Sequence, residues 1–275
     1  MNMFSNTMAD MKWTDIQRHA DENAVVLLPM GVIEEHGPHL CLATDIYTAH
    51  ITCLAVQKKL EKESVPAIIA PPFYWGICQA GKGFIGSFNI RPETMKALLF
   101  DIFSSLRDFG FQWAFGINTH GDVEHKTIAV NACKDACEQL GITVCFPYDE
   151  FMTQLLGFNQ DAPYFYEIKP SEINVSTAEV PDVHAGDIET AIINAHYPHL
   201  VDRQIAKALP DAALGDQFEA WMFGNQLKQI SPQGYMGSPR SYESVNAAQY
   251  IKDSAHRISQ AILARLNKSK GFDNS

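Results

Sequence analysis

Three short, largely apolar runs constrain what this chain can fold into: Ala24-Val25-Val26-Leu27-Leu28-Pro29, Pro66-Ala67-Ile68-Ile69-Ala70-Pro71-Pro72 and Gln112-Trp113-Ala114-Phe115-Gly116-Ile117-Asn118. Apolar runs this short and this continuous fit strands buried on both faces, as in a parallel sheet. Helical patterns separate them. Ile46 to Leu60 carries Ile46, Ala49, Leu54, Val56 and Leu60 at helical spacing. Pro92 to Phe109 places Met95, Leu98, Leu99, Ile102, Phe103, Leu106 and Phe109 on one stripe, with Pro92 suited to the first turn and Gly110 as the stop. Strand, helix, strand at this spacing is a βαβ unit. The expected fold class is α/β, a mainly parallel sheet sandwiched by helices.

Later elements are expected at Ile142 to Phe146 (strand), Ile188 to His196 (helix) and Ser241 to Leu266 (closing helix). Residues 150–180 read as loops with short elements, and 210–240, rich in Gly, Pro and Met, as a lid or excursion. No repeat or linker divides the 275 residues, so one domain spanning 1–275 is expected.

Chemistry gathers where the apolar runs end. The first runs into Gly31-Val32-Ile33-Glu34-Glu35-His36-Gly37-Pro38-His39, with Asp45 opening the next helical pattern. The third runs into Thr119-His120-Gly121-Asp122-Val123-Glu124-His125, and a later segment reads Asp182-Val183-His184-Ala185-Gly186-Asp187-Ile188-Glu189-Thr190. Open α/β sheets bind ligands at the carboxyl ends of their strands. Imidazoles and carboxylates brought together there are ligands for divalent transition metals. Glu34, His36, Asp45, His120, Asp122, His184 and Glu189 suffice for two ions sharing a carboxylate, a site that lowers the pKa of water and clamps a developing oxyanion. His19, His50 and His256 read as surface or core histidines, and Glu124 and His125 as solvated or helix-capping groups. Trp75 and Trp221 are candidate pocket walls.

The net charge of -11 and pI near 5.3 argue against nucleic acid or an anionic membrane as partner. The six cysteines, Cys41, Cys53, Cys78, Cys133, Cys137 and Cys145, form no disulfide or zinc framework. With no signal peptide and no membrane-length apolar run, the expectation is a cytoplasmic protein acting on a small molecule.

The segment from Gly31 to Leu40 with Asp45 resembles the Glu-x-His-Gly-Pro-His-Leu…Asp motif of the creatininase (creatinine amidohydrolase) family. The match continues through Gly86-Ser87, Pro92-Glu93-Thr94, Asn118-Thr119-His120-Gly121 and Asp182-x-His184-Ala185-Gly186-x-x-Glu189-Thr190. The resemblance implies a dinuclear zinc, manganese or iron hydrolase in a homo-oligomer, often a hexamer. Glu34, Asp45 and His120 would hold one metal, and His36 and Asp45 the second, completed by Asp122 or Glu189. Asp122 or Glu189 would also orient the attacking water, and His184 would hand a proton to the leaving group. His39 would orient neighbouring ligands. The implied reaction is cleavage of a C–N bond in a small cyclic amide or formamide by metal-bound hydroxide. Alternatives are C–C hydrolysis of a cyclic ketone of the inosose type, and an inactive binding homologue. Cys78 and Gly81 stand where the family commonly has serine and histidine, which points to an unusual substrate.

Overall fold

The computed structural model describes residues 2–148, 161–213, 215 and 227–272. Trp221, the middle of the 210–240 excursion and the last three residues lie outside them. Five parallel strands form one layer: β1 (Val25–Met30), β2 (Ala67–Ile69), β3 (Trp113–Asn118), β4 (Thr143–Tyr148) and β5 (Phe165–Glu167), in the order β2-β1-β3-β4-β5. Helices α1 (Trp13–Asp21), α2 (Thr44–Lys62), α3 (Pro92–Asp108), α4 (Val123–Gln139), α5 (Asp187–His196) and α6 (Ala247–Phe272) surround it.

Each strand divides its side chains between two cores, because successive residues point to opposite faces. On one face Val26, Leu28, Met30, Ile68, Ala114 and Val144 meet Met95, Leu99 and Phe103 of α3 and Ala129 and Cys133 of α4. On the other, Val25, Leu27, Ile69, Phe115 and Ile117 meet Val56 and Leu60 of α2 and Ile258 and Ile262 of α6. Helices on both faces explain why β1 is buried along its whole length and reads as an unbroken apolar run.

The strand order fixes where a ligand site can form. From β1 the chain passes through α2 to β2 on one side, then returns through α3 to β3 on the other. The connections leaving β1 and β3 therefore open a crevice at their carboxyl ends, the topological switch point of a doubly wound sheet.

Helix α1, which precedes the first apolar run, goes beyond the sequence expectations. The three-residue β5 is a short element within the stretch read as loops with short elements, pinned by Tyr166, whose hydroxyl donates to the Gly116 carbonyl at 2.6 Å. The closing helix begins later than expected. Pro239–Ser244 is a 3-10 segment, and Asn246 then starts α6 by accepting from the Gln249 N–H at 3.0 Å. Trp75 is half-exposed, its ring edge-on to Phe88 at 5.5 Å, and it lines neither of the cavities described below. All six cysteines are free. Among the described residues, no helix is long and apolar enough to cross a membrane.

Phe103 sits at the centre of the α3 face, 1% exposed. Its replacement by alanine is expected to cost about 3–5 kcal/mol, read as a lower urea midpoint at unchanged m-value.

Candidate metal centre

Beyond Met30 the chain leaves β1 without regular structure, and residues 31–43 fold back over the sheet end. Gly31 makes the next step possible. A β-carbon there would lie 2.6 Å from the Asp45 β-carbon, so only glycine lets the first turn of α2 settle against the strand's exit. Asp45, in that turn, is 2% exposed, Glu34 4% and His36 fully buried. The loop after β3 supplies the next ligand type. Thr119 Oγ1 donates to the Asp45 carbonyl at 2.8 Å, and Asn118 Nδ2 to the His120 carbonyl at 2.8 Å, so His120 is carried to the same point.

Segment 182–190 closes the crevice. Asp182 accepts from the N–H groups of Gly186 (3.0 Å), Ile188 (2.7 Å) and Glu189 (3.0 Å), satisfying the free donors at the start of α5. Burial, then the charge of Glu189, raises the Asp182 carboxyl to a pKa of about 7. Glu189 faces the cluster with Oε2 3.8 Å from His36 Nε2, while that oxygen also accepts the Ala185 N–H at 2.7 Å. His184 is pinned by a bridge to Met236, and its ring lies tilted, 4.5 Å from that of His36.

Each histidine facing the cluster commits one nitrogen to a backbone carbonyl. His36 Nδ1 lies 3.2 Å from the Glu34 carbonyl, His120 Nε2 2.9 Å from that of Ile77, and His184 Nε2 2.8 Å from that of Glu35. A carbonyl can only accept, so each of these nitrogens carries the hydrogen. The other nitrogen of His36 and His120 then turns to the carboxylates. His120 Nδ1 lies 2.9 Å from Glu34 Oε1 and 3.1 Å from Asp45 Oδ2, and His36 Nε2 lies 3.4 Å from Asp45 Oδ1. Asp45 thus shows one oxygen to each histidine.

Three overlapping donor groups result: Glu34, Asp45 and His120; His36, Asp45 and Glu189; Glu34, His36 and His184. Burial opposes ionisation of Glu34, but His120 beside it holds its pKa below the ordinary value. Asp45 is likewise held low against burial by the imidazoles of His120 and His36 beside it, and His120 is pushed up against burial by Glu34 and Asp45. His36 Nε2 and Asp45 Oδ2 are nevertheless buried without a hydrogen-bond partner. Unpaired buried polar atoms are costly, and both point into the cluster. Oxygen and imidazole donors, each imidazole oriented by a carbonyl, are the set a divalent transition metal takes. The residues fit such an ion.

Asp122 stands apart from these groups. It caps α4, with Oδ1 accepting the His125 N–H at 2.9 Å and Oδ2 the Gln79 N–H at 2.8 Å. His120 and Asp122 are two apart, but Asp122 is taken up as the cap of α4, which begins at Val123. His125 is not solvated: it is fully buried, accepts the Ile77 N–H on Nδ1 at 3.3 Å, and lies 5.0 Å edge-on from the His120 ring. Burial, then the positive charge on His120, pushes its pKa well down. Glu124 accepts from Gln79 Nε2 at 2.6 Å. His39 donates from Nε2 to Thr190 Oγ1 at 2.9 Å, tying the first motif to the last. His50 is buried against the Ser5 carbonyl, and His256 is exposed.

Three residues to which the sequence assigned no role in holding the site complete it. Glu35 accepts from His184 Nε2 at 3.2 Å on Oε1 and from the Gly37 N–H at 3.0 Å on Oε2. Cys78 donates its thiol to Glu34 Oε2 at 2.8 Å, and burial together with the Glu34 charge pushes that thiol's pKa up. Asp182 was visible only as part of a motif. A cavity of about 90 Å³ lies over the cluster, lined by Glu34, Asp45, His120, Asp122, His184 and Glu189 among others. Thr119 and Glu189 also line a larger cleft of about 760 Å³ at the ends of β3, β4 and β5.

The family model for Creatininase, described as creatinine amidohydrolase, matches residues 9–262. A mycofactocin precursor peptide peptidase of Mycobacterium ulcerans is 24% identical over 243 residues, 86% of this chain and 84% of its own length. A creatinine amidohydrolase of Pseudomonas putida is 23% identical over 201 residues, 71% of this chain and 73% of its own. The crystal structure of a creatininase superposes with a TM-score of 0.67 at 20% identity, covering 94% of this chain and 96% of that one, and so shares the fold. Solved creatininase structures include a Mn form and a Zn-Zn form.

Replacing Asp122 by alanine removes a helix cap and a loop anchor. The expected cost is about 1 kcal/mol, read by thermal and urea unfolding, with metal binding retained.

Proposed function

Because this chain belongs to the creatininase family, whose members are metal-dependent amidohydrolases, we propose that it hydrolyses a C–N bond at a centre of two divalent cations. One observation carries this reading: Asp45 directs Oδ2 toward His120 and Oδ1 toward His36, with Glu34 beside the first pair and Glu189 beside the second. Glu34, Asp45 and His120 would hold one cation, and His36, Asp45 and Glu189 the other. Glu189 is preferred over Asp122 because both Asp122 oxygens already accept backbone N–H groups. Imidazole and carboxylate donors accept zinc, manganese or iron.

Cations bound there would supply Lewis acidity and a water of lowered pKa. The chain's own groups supply the rest. His184 has Nε2 committed to Glu35, so Nδ1 is the nitrogen that exchanges a proton with the leaving amine. Glu35 holds the imidazole in that tautomer, as the buried carboxylate of a catalytic triad does. Asp182 and His39 fix the helix start and the loop that carry Glu189 and His36. A complete donor set supports a working enzyme over a scaffold that has lost its activity.

The substrate follows from the space available. The cavity over the cluster suits a small cyclic amide or a formyl group. A second reading, an amide within a peptide, is favoured by the adjoining 760 Å³ cleft, whose walls include Tyr148, Ile168, Pro170 and Tyr250, and by the peptidase named among the relatives.

The test is amine release by zinc- or manganese-loaded protein from cyclic amides, N-formyl compounds and short peptides. Release is expected from at least one class, abolished by chelation and by Asp45→Ala. A metal-loaded protein that opens cyclic ketones but cleaves no amide would overturn the C–N assignment.

A further inference from the structure

Glu34 has two carboxylate oxygens with different surroundings. Oε1 lies 2.9 Å from His120 Nδ1, inside the donor group it shares with Asp45. Oε2 accepts the Cys78 thiol at 2.8 Å. A hydrogen bond to one carboxylate oxygen orients the group and turns the other oxygen toward the cation. Cys78 is itself held firmly. It is fully buried, and its N–H donates to Asn89 Oδ1 at 2.8 Å. Ile77 before it is fastened on both sides, its carbonyl to His120 and its N–H to His125.

The same segment clamps the motif from a second direction. Ser87 Oγ accepts the Glu35 N–H at 3.0 Å, and the Phe88 N–H donates to the Ile33 carbonyl at 2.9 Å. Gly81 lets this segment close. A β-carbon there would stand 2.7 Å from Cys78 Sγ, 3.1 Å from Ser87 Oγ and 3.2 Å from Glu34 Oε2. Cys78 and Gly81 are two of the positions where the sequence departs from the residues that the family resemblance implies, and they lie beside one another and beside Glu34. The buried, unpaired His36 Nε2 and Asp45 Oδ2 mark independently that the cluster is built for an ion.

We propose that Cys78 is a positioning residue for the metal centre: its thiol fixes Glu34 so that Oε1 alone serves the cation shared with Asp45 and His120, and Gly81 permits that contact. The assignment rests on the two-cation reading above. It makes Cys78 a hydrogen-bond donor rather than a ligand, so serine can replace it and alanine cannot.

The experiment measures metal affinity by chelator competition with zinc, and absorption spectra with cobalt(II), on the full chain and on Cys78→Ala, Cys78→Ser and Gly81→Ala. Folding is checked by circular dichroism. Expected are two zinc equivalents in wild type, one of them weakened about 10- to 100-fold in Cys78→Ala. Cys78→Ser restores it, and Gly81→Ala weakens it with the thiol intact. The cobalt spectrum of wild type is expected to lack a thiolate-to-metal charge-transfer band. Equal affinity in wild type and Cys78→Ala would overturn the positioning role. A charge-transfer band lost in Cys78→Ser would overturn it differently, by making Cys78 a ligand. Wild type that binds no zinc or cobalt would instead remove the two-cation reading on which the assignment stands.

Discussion

Two buried carboxylates facing three buried imidazoles are the interaction around which this molecule is arranged. Glu34 and Asp45 are almost wholly removed from water, as are His36, His120 and His184. Ions in such a place are tolerated only when opposite charge and hydrogen bonds offset the lost hydration. The chain meets that demand with short contacts between His120 and both carboxylates, and with a backbone carbonyl behind each imidazole. Two atoms, His36 Nε2 and Asp45 Oδ2, keep no hydrogen bond. These two atoms lie within the donor groups that could hold a metal ion.

The sheet topology supplies the place. Reversal of strand order beside β1 puts the exits of β1 and β3 next to each other, and α2 begins directly over them. Four donors come from these two connections and the first turn of α2. The rest come from the later segment 182–190, which the Asp182 cap and the contacts of His39 with Thr190 and His184 with Glu35 draw into register. Rigid strands fix the first set, and side-chain hydrogen bonds fix the second.

Much of this is legible in the residues. The apolar runs give β1, β2 and β3, the stripe from Met95 to Leu106 gives α3, and the polar clusters at the run ends mark the crevice. The creatininase resemblance rests on the same clusters, and the family match extends it to residues 9–262. What escapes is whatever depends on contacts distant in sequence. Glu35 reads as one more acid until His184, 149 residues on, is placed against it. Cys78 reads only as a replacement for the serine common in the family until Glu34, 44 positions back, is seen to accept a hydrogen bond from its thiol. Spacing alone also put Asp122 on the same side as His120, whereas the helix beginning at Val123 takes it for a cap. Strand β5 has no continuous apolar run around it of the kind that marks the equally short β2.

The most direct test of the central claim is anomalous diffraction from crystals of the zinc-loaded protein, collected on both sides of the zinc edge. The account predicts two peaks about 3.5–4 Å apart, one within reach of Glu34 and His120, the other of His36 and Glu189, with Asp45 touching both. A single peak, or two that do not share Asp45, would contradict it.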